Sequence, residues 1–205
     1  ELDADTLVAK GPRVWREDLQ SVPFSAHPQR DADGSLWNFG LAAYGEPPTL
    51  LVWRIGADGE LASITPISLE TPGYLHSFAM TERHLVFVLS PWLYNREAEG
   101  AFFERMQWRP EQGSEVIVLA KDALDAPIRH RLPGGLAFHF ADAHERNGRI
   151  VMQACWYDDV DETNRALSEL MRGRTPQNRR HVEPLVRIEL PLKGEGRAKL
   201  HRLGP

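Results

Sequence analysis

Three of the eight histidines in this 205-residue chain sit in repeated surroundings. His27 lies in Pro23-Phe24-Ser25-Ala26-His27-Pro28, His76 in Gly73-Tyr74-Leu75-His76-Ser77-Phe78-Ala79-Met80, and His139 in Leu136-Ala137-Phe138-His139-Phe140-Ala141-Asp142-Ala143. Each is followed by a polar turn and a β-prone run. Asp33-Gly34 leads into Leu36-Trp37-Asn38-Phe39-Gly40, Thr81-Glu82-Arg83-His84 into residues 85–89, and Glu145-Arg146-Asn147-Gly148 into residues 150–155. One histidine on an apolar run reads first as a core imidazole bonded to a backbone carbonyl. Three in the same setting read as metal ligands. Neutral imidazole suits iron, zinc, copper or nickel, and three histidines plus water also describe a catalytic zinc site. Spacing alone therefore leaves hydrolysis at zinc and oxygen chemistry at iron both open.

The elements that must carry these histidines follow from the spacing. His76 lies 49 residues after His27, and His139 lies 63 after His76 (76 − 27 and 139 − 76). A four-stranded propeller blade takes roughly 40–50 residues, so the second interval carries an insertion. Asp33-Gly34 and Asp58-Gly59 mark two hairpins between His27 and His76, which makes four strands, the content of one blade. Asn147-Gly148 marks a third hairpin, and alternation across its first run puts Phe138 and Phe140 on one face with His139 alone on the other. Blades surround a central channel, so three successive blades would each present one histidine to a common axial point. The fold expected is all-β, about three to four blades of a β-propeller.

The other segments fill in around that plan. Arg13-Val14-Trp15 is a candidate short strand. Trp92, Tyr94, Phe102, Phe103 and Trp108 crowd residues 91–109, which read as a loop pinned by aromatics, with a helical turn or two near residues 97–106. The acidic run Asp158-Asp159-Val160-Asp161-Glu162 lacks the glycine and spacing of a calcium loop and reads as the start of a short helical insertion over about 161–173. Ala166, Leu167, Leu170 and Met171 form its apolar face, and Gly173 ends it. Strand returns over 182–192 and again near Leu200. His84, His130, His181 and His201 read as solvated, and His144, five residues after His139, as facing away from it.

Composition narrows the class. A hydrophobic content of 42% with 26% charged residues is ordinary for a globular protein, and a net charge of −5 gives no case for nucleic acid. No apolar run approaches the ~20 residues that span a bilayer. The single Cys155, in an apolar run, reads as a buried thiol in a reducing compartment, so a cytoplasmic location is expected.

The motifs themselves resemble those of the carotenoid cleavage oxygenases, the family that includes the lignostilbene dioxygenases and the retinoid isomerase. Ser25-Ala26-His27-Pro28 with Trp37-Asn38-Phe39-Gly40 resembles the first histidine motif. Leu75-His76-Ser77-Phe78-Ala79-Met80-Thr81-Glu82 resembles the second, and Phe138-His139-Phe140-Ala141-Asp142-Ala143-His144-Glu145 the third. Ser77 stands where the family usually has Asp, and Asp142 where it has Asn. The resemblance implies a seven-bladed propeller of which residues 1–205 are a partial domain. It also implies Fe(II) held by four histidines, three of them His27, His76 and His139, with the fourth and most orienting glutamates outside these residues. The implied reaction is cleavage of one C=C bond of a carotenoid, apocarotenoid or stilbene-like substrate by O2, giving two carbonyl products, with no catalytic side chain beyond the metal ligands. The partners expected are a small apolar alkene and, peripherally, a membrane surface. An isolated piece of this length is expected to be inactive, and the alternative is a non-catalytic binding module with an incomplete metal site.

Overall fold

Period-two patterning becomes three four-stranded antiparallel sheets in the computed structural model, which describes residues 1–43, 45–175, 185–193 and 196–204. The chain divides into two compact units, Glu1–Ser68 and Leu69–Pro205.

The first unit carries one sheet, a meander of β1 (Gln29–Arg30), β2 (Leu36–Ala42), β3 (Thr49–Ile55) and β4 (Leu61–Ser68). These are the four strands expected between His27 and His76, turning at Asp33-Gly34 and Asp58-Gly59. Trp37, Phe39, Val52, Trp53 and Ile55 are buried on β2 and β3. Ahead of the sheet, residues 13–15 form no strand. Trp15 instead packs on Phe24 and Trp53, with ring centroids 5.4 and 5.9 Å away, and its indole donates to the Gly59 carbonyl at 2.9 Å.

The second unit holds two sheets. One is ordered β5 (Ala79–Met80), β6 (His84–Leu89), β9 (Ser114–Ala120), β10 (Ala123–Leu132). Between β6 and β9 the chain detours through a small two-stranded sheet of β7 (Trp92–Tyr94) and β8 (Met106–Trp108). This detour is the insertion that lengthens the second histidine interval. It is pinned as expected: Trp92 is fully buried and stacks on Phe103 at 5.7 Å, and the expected helical turn is a 3-10 segment, Phe102–Arg105. The other sheet is ordered β11 (Phe140–Arg146), β12 (Arg149–Cys155), β13 (Leu185–Pro191), β14 (Lys199–Leu203). The helix α1 (Asp161–Met171) joins β12 to β13 across residues that are partly outside the description, including His181.

Burial explains the residue patterns. Leu85–Leu89 of β6 and Val116–Leu119 of β9 are buried on both faces, hence their unbroken apolar runs. Val86, Val88, Val116 and Val118 pack against Ile150, Met152, Ala154, Val186, Ile188 and Leu190 of the neighbouring sheet, forming the main core of this unit. On β12 only one face is inside. Ile150, Met152 and Ala154 are buried, so Cys155, one residue out of phase, is exposed rather than buried as its apolar run suggested. The helix face also differs from expectation: Val160, Leu167 and Ser168 turn inward, whereas Leu170 and Met171 are exposed. Gly173, with φ +72°, closes it in the left-handed conformation that an α-helix C-terminus favours.

Candidate metal centre

Each expected ligand histidine lies just ahead of the first strand of a sheet, not within it: His27 two residues before β1, His76 three before β5, His139 immediately before β11. The loops rather than the ladders present the imidazoles, so each loop needs its own restraints.

In the first unit, Asn38 supplies them for His27. Asn38 is fully buried on β2, and its amide donates to the Ser25 carbonyl at 2.8 Å. The Ser25 amide donates to the Phe39 carbonyl at 3.0 Å, and the Ser25 hydroxyl accepts from the His27 amide at 3.1 Å. The polar residue in the run Trp37-Asn38-Phe39 is thus the post to which the His27 loop is tied, and His27 is left half-buried.

In the second unit, His76 and His139 come together. Their rings meet edge to face with centroids 5.0 Å apart, and each offers a nitrogen within 4.8 Å of the other's. Two imidazole nitrogens bonded to one ion at about 2.0–2.1 Å sit roughly 3–4 Å apart, so this donor pair fits a shared transition metal, and imidazole donors accept iron as they do zinc, copper or nickel. The pair is walled on one side by aromatics. Phe138 meets His76 edge-on at 5.3 Å, and Tyr74 and Tyr157 pack on Phe138 at 5.9 and 5.8 Å. Tyr74 brings its hydroxyl to 3.3 Å from His76 Nδ1, and burial raises the phenol above its ordinary pKa, keeping it neutral.

Local sequence explains this placement. Phe78, 1% exposed and stacked on Phe87 at 5.2 Å, plunges into the core, and Ser77 before it is buried, its hydroxyl donating to the Phe138 carbonyl. His76 is thereby fixed at the rim beside His139. Upstream of His139, Gly135 lies against Trp156 so closely that a Cβ would stand 2.0 Å from the indole. The strand expected from Leu136 onward begins only at Phe140, with Leu136 making a single bridge to Tyr157. Phe138 and Phe140 consequently do not share a face: Phe138 joins the aromatic cluster around Trp92, and Phe140 the main core. The reason is the close seat of residues 135–138 on Trp156 and Tyr157, which bends the run before the ladder starts.

Of the remaining described histidines, His84 and His130 are placed otherwise than read. His84 is not solvated: its side chain is 13% exposed, and Nδ1 lies 2.9 Å from Glu145 Oε1. His130 is half-buried with Nε2 at 3.0 Å from the Pro191 carbonyl, and burial lowers its pKa despite that contact. His144 pairs with Asp142 at 3.0 Å on the exposed side of β11, and His201 is exposed. The residues that sequence reasoning missed are Tyr74, Ser77 and Glu145 in this setting. The only local signal was polarity inside otherwise apolar runs.

Comparison with known proteins gives these loops a family. The family model described as RPE65, retinal pigment epithelial membrane protein, matches residues 1–203. The isoeugenol monooxygenase of Pseudomonas putida is 30% identical over 155 residues, covering 74% of this chain and 32% of that protein. The resveratrol cleavage oxygenase 1 of Aspergillus fumigatus is 24% identical over 223 residues, covering 98% and 43%. Among solved structures, the lignostilbene dioxygenase of Pseudomonas brassicacearum superimposes with a TM-score of 0.76 at 23% identity, covering 98% of this chain and 42% of that one. A cobalt-substituted apocarotenoid oxygenase of Synechocystis does so with 0.74 at 19%, covering 98% and 43%. The chain thus spans about a third to two fifths of the relatives it matches, and its fold is all-β, part of a β-propeller. By its matched residues and its three ordered histidine motifs, this chain belongs to the RPE65, or carotenoid cleavage oxygenase, family.

Proposed function

We propose that these residues are the partial propeller domain of a longer non-haem Fe(II) dioxygenase, one that cleaves a single C=C bond of an apolar conjugated alkene. The observation that carries the reading is the His76–His139 pair, two imidazoles at metal-sharing distance on loops that match the family's second and third motifs. His27, in the first motif, is the third ligand in this proposal, and a fourth histidine comes from outside these residues. When bound, ferrous iron supplies a centre for activating O2, whose two atoms end on the two former alkene carbons as the C=C bond breaks. The balance needs no further oxidant or reductant.

The chain's own residues do the rest. Tyr74 and Ser77 hold the His76 loop, and the Phe138 and Tyr157 rings keep water from one side of the pair. Names of relatives support the substrate class: isoeugenol, resveratrol and carotenoids each carry an alkene conjugated to a ring or polyene. A non-catalytic binding module is not favoured, because those relatives are named as oxygenases.

The test is product analysis. The full-length, iron-loaded protein, incubated under oxygen with isoeugenol, a hydroxystilbene and an apocarotenal, should convert at least one to two carbonyl fragments by HPLC. Label from 18O2 should enter the products. No cleavage of any of the three, with His76-dependent iron present, would remove the dioxygenase reading.

A further inference from the structure

The Glu145 carboxylate collects more hydrogen bonds than any structural need of β11 explains. Its side chain is 12% exposed, and it lies six residues beyond His139 on that strand. Oε1 accepts from Thr81 Oγ1 at 2.7 Å, from the Arg83 backbone amide at 3.2 Å and from His84 Nδ1 at 2.9 Å, and Oε2 accepts from Arg83 Nε at 2.8 Å and from its Nη2. Thr81 and Arg83 lie in the turn between β5 and β6, and His84 is the first residue of β6, so the donors come from the segment that closes the two-residue strand after His76. Burial alone would raise this carboxyl's pKa, but Arg83, His84 and Thr81 outweigh it and hold the group at about 2. It is therefore ionised and can only accept, which requires the proton of His84 to reside on Nδ1.

We propose that Glu145 is a positioning residue for the metal centre, clasping the β5–β6 turn to β11 and so fixing the spacing of His76 and His139. It rests on the metal-centre reading above. The need for a clasp follows from strand length. A two-residue β5 is held in register by two pairs alone, Ala79↔Val86 and Met80↔Leu85, and has little ladder to resist movement. Ser77 ties the loop to Phe138 on one side of β5, and Glu145 ties the turn to β11 on the other. Between these two restraints, His76 and His139 move as one body. Charged acceptors make the stronger restraint, because charge-assisted hydrogen bonds are roughly twice as strong as neutral ones.

The experiment compares Glu145→Ala, Glu145→Gln and a control, Glu115→Gln, in the full-length protein. Glu115 on β9 is similarly buried and paired with Arg129, but that partner lies on β10 rather than beside either histidine loop. Two readouts are taken on folded protein: Co(II) affinity with its visible absorption spectrum, and amide hydrogen exchange. Glu145→Ala should weaken Co(II) about tenfold, at the low end of the effect of losing supports around a metal site, and alter the spectrum. It should also speed exchange at residues 77–80 and 139–141. Glu145→Gln, which keeps the acceptor oxygen, should recover part of both, and Glu115→Gln should change neither. Unchanged exchange at those amides in Glu145→Ala overturns the proposal, as does an unchanged affinity in a protein whose Co(II) binding depends on His76. Co(II) binding indifferent to His76→Ala sinks the metal-centre reading instead, and the exchange data still decide the role of Glu145.

Discussion

The loops bearing His76 and His139 adjoin each other yet are held by different means. His139 runs straight into β11, seven residues paired with β12 apart from an irregularity at Ala141 and turned back by Asn147-Gly148. Both turn residues have positive φ, +50° and +71°, the backbone of a type I′ hairpin. His76 leads only to a two-residue strand and a polar turn, and its position depends on side chains: Phe78 in the core, Ser77 on the Phe138 carbonyl, and Thr81, Arg83 and His84 on Glu145. The histidine that is exposed has the stiff backbone, and the one that is half-buried has the packed side chains. A histidine-bearing loop can be made rigid through a ladder or through buried anchors, and this pair uses one of each.

Substitutions at four positions and one titration bear on that contrast. Phe78→Ala should have the largest effect, about 3–5 kcal/mol of stability by urea denaturation, since it empties a filled site. Phe140→Ala, one residue after His139 at the start of β11, should cost clearly less because Phe140 is only half-buried. Equal losses would erase the distinction. Next, Ser77→Ala should cost about 1–3 kcal/mol by leaving the Phe138 carbonyl without its donor, and Ser77→Thr should restore part of it, both read from the same denaturation curves. Smaller again is Gly148→Ala, about 1 kcal/mol from a left-handed backbone. It should leave Co(II) affinity unchanged if the long ladder holds His139 by itself.

The titration tests the anchors directly. Glu145 has a folded pKa of about 2, below its ordinary 4.5. A depressed carboxyl stabilises the fold at pH values above its unfolded pKa, and that contribution is lost as pH falls from about 4.5 toward 2. Arg83 stays charged throughout this range and His84 faces the carboxylate, so protonation of Glu145 is the event that weakens the clasp. Thermal melts should therefore show the wild type losing more stability over this interval than Glu145→Gln, and parallel profiles would deny Glu145 its weight.

Much of this molecule was legible in its residues. Asp33-Gly34, Asp58-Gly59 and Asn147-Gly148 announced their hairpins because only a few residue types accept positive φ cheaply, and that preference is local. The unbroken apolar runs of β6 and β9 and the alternation of β12 carried their burial for the same reason, a period fixed by the pleat. Gly173 marked the helix end. Where a run's shape depended on a neighbour distant in sequence, local reading failed. Leu136–Phe138 has strand-like composition but is bent by its seat on Trp156 and Tyr157, so Phe138 and Phe140 entered different clusters. Cys155 was apolar in context yet faced out, because the phase of β12 is set by Ile150, Met152 and Ala154.

By itself, then, the sequence determined most of the strands, their turns and the recurrence of a histidine with each sheet, since backbone preference and side-chain period act over a few residues. Only the tertiary structure decided which groups meet. Ser77 finds the Phe138 carbonyl 61 residues on, Thr81 finds Glu145 64 residues on, and His84 turns from a surface imidazole into a part-buried partner of that carboxylate. Buried polar groups must find partners wherever packing leaves them, and packing of whole sheets is not written in any short stretch of chain.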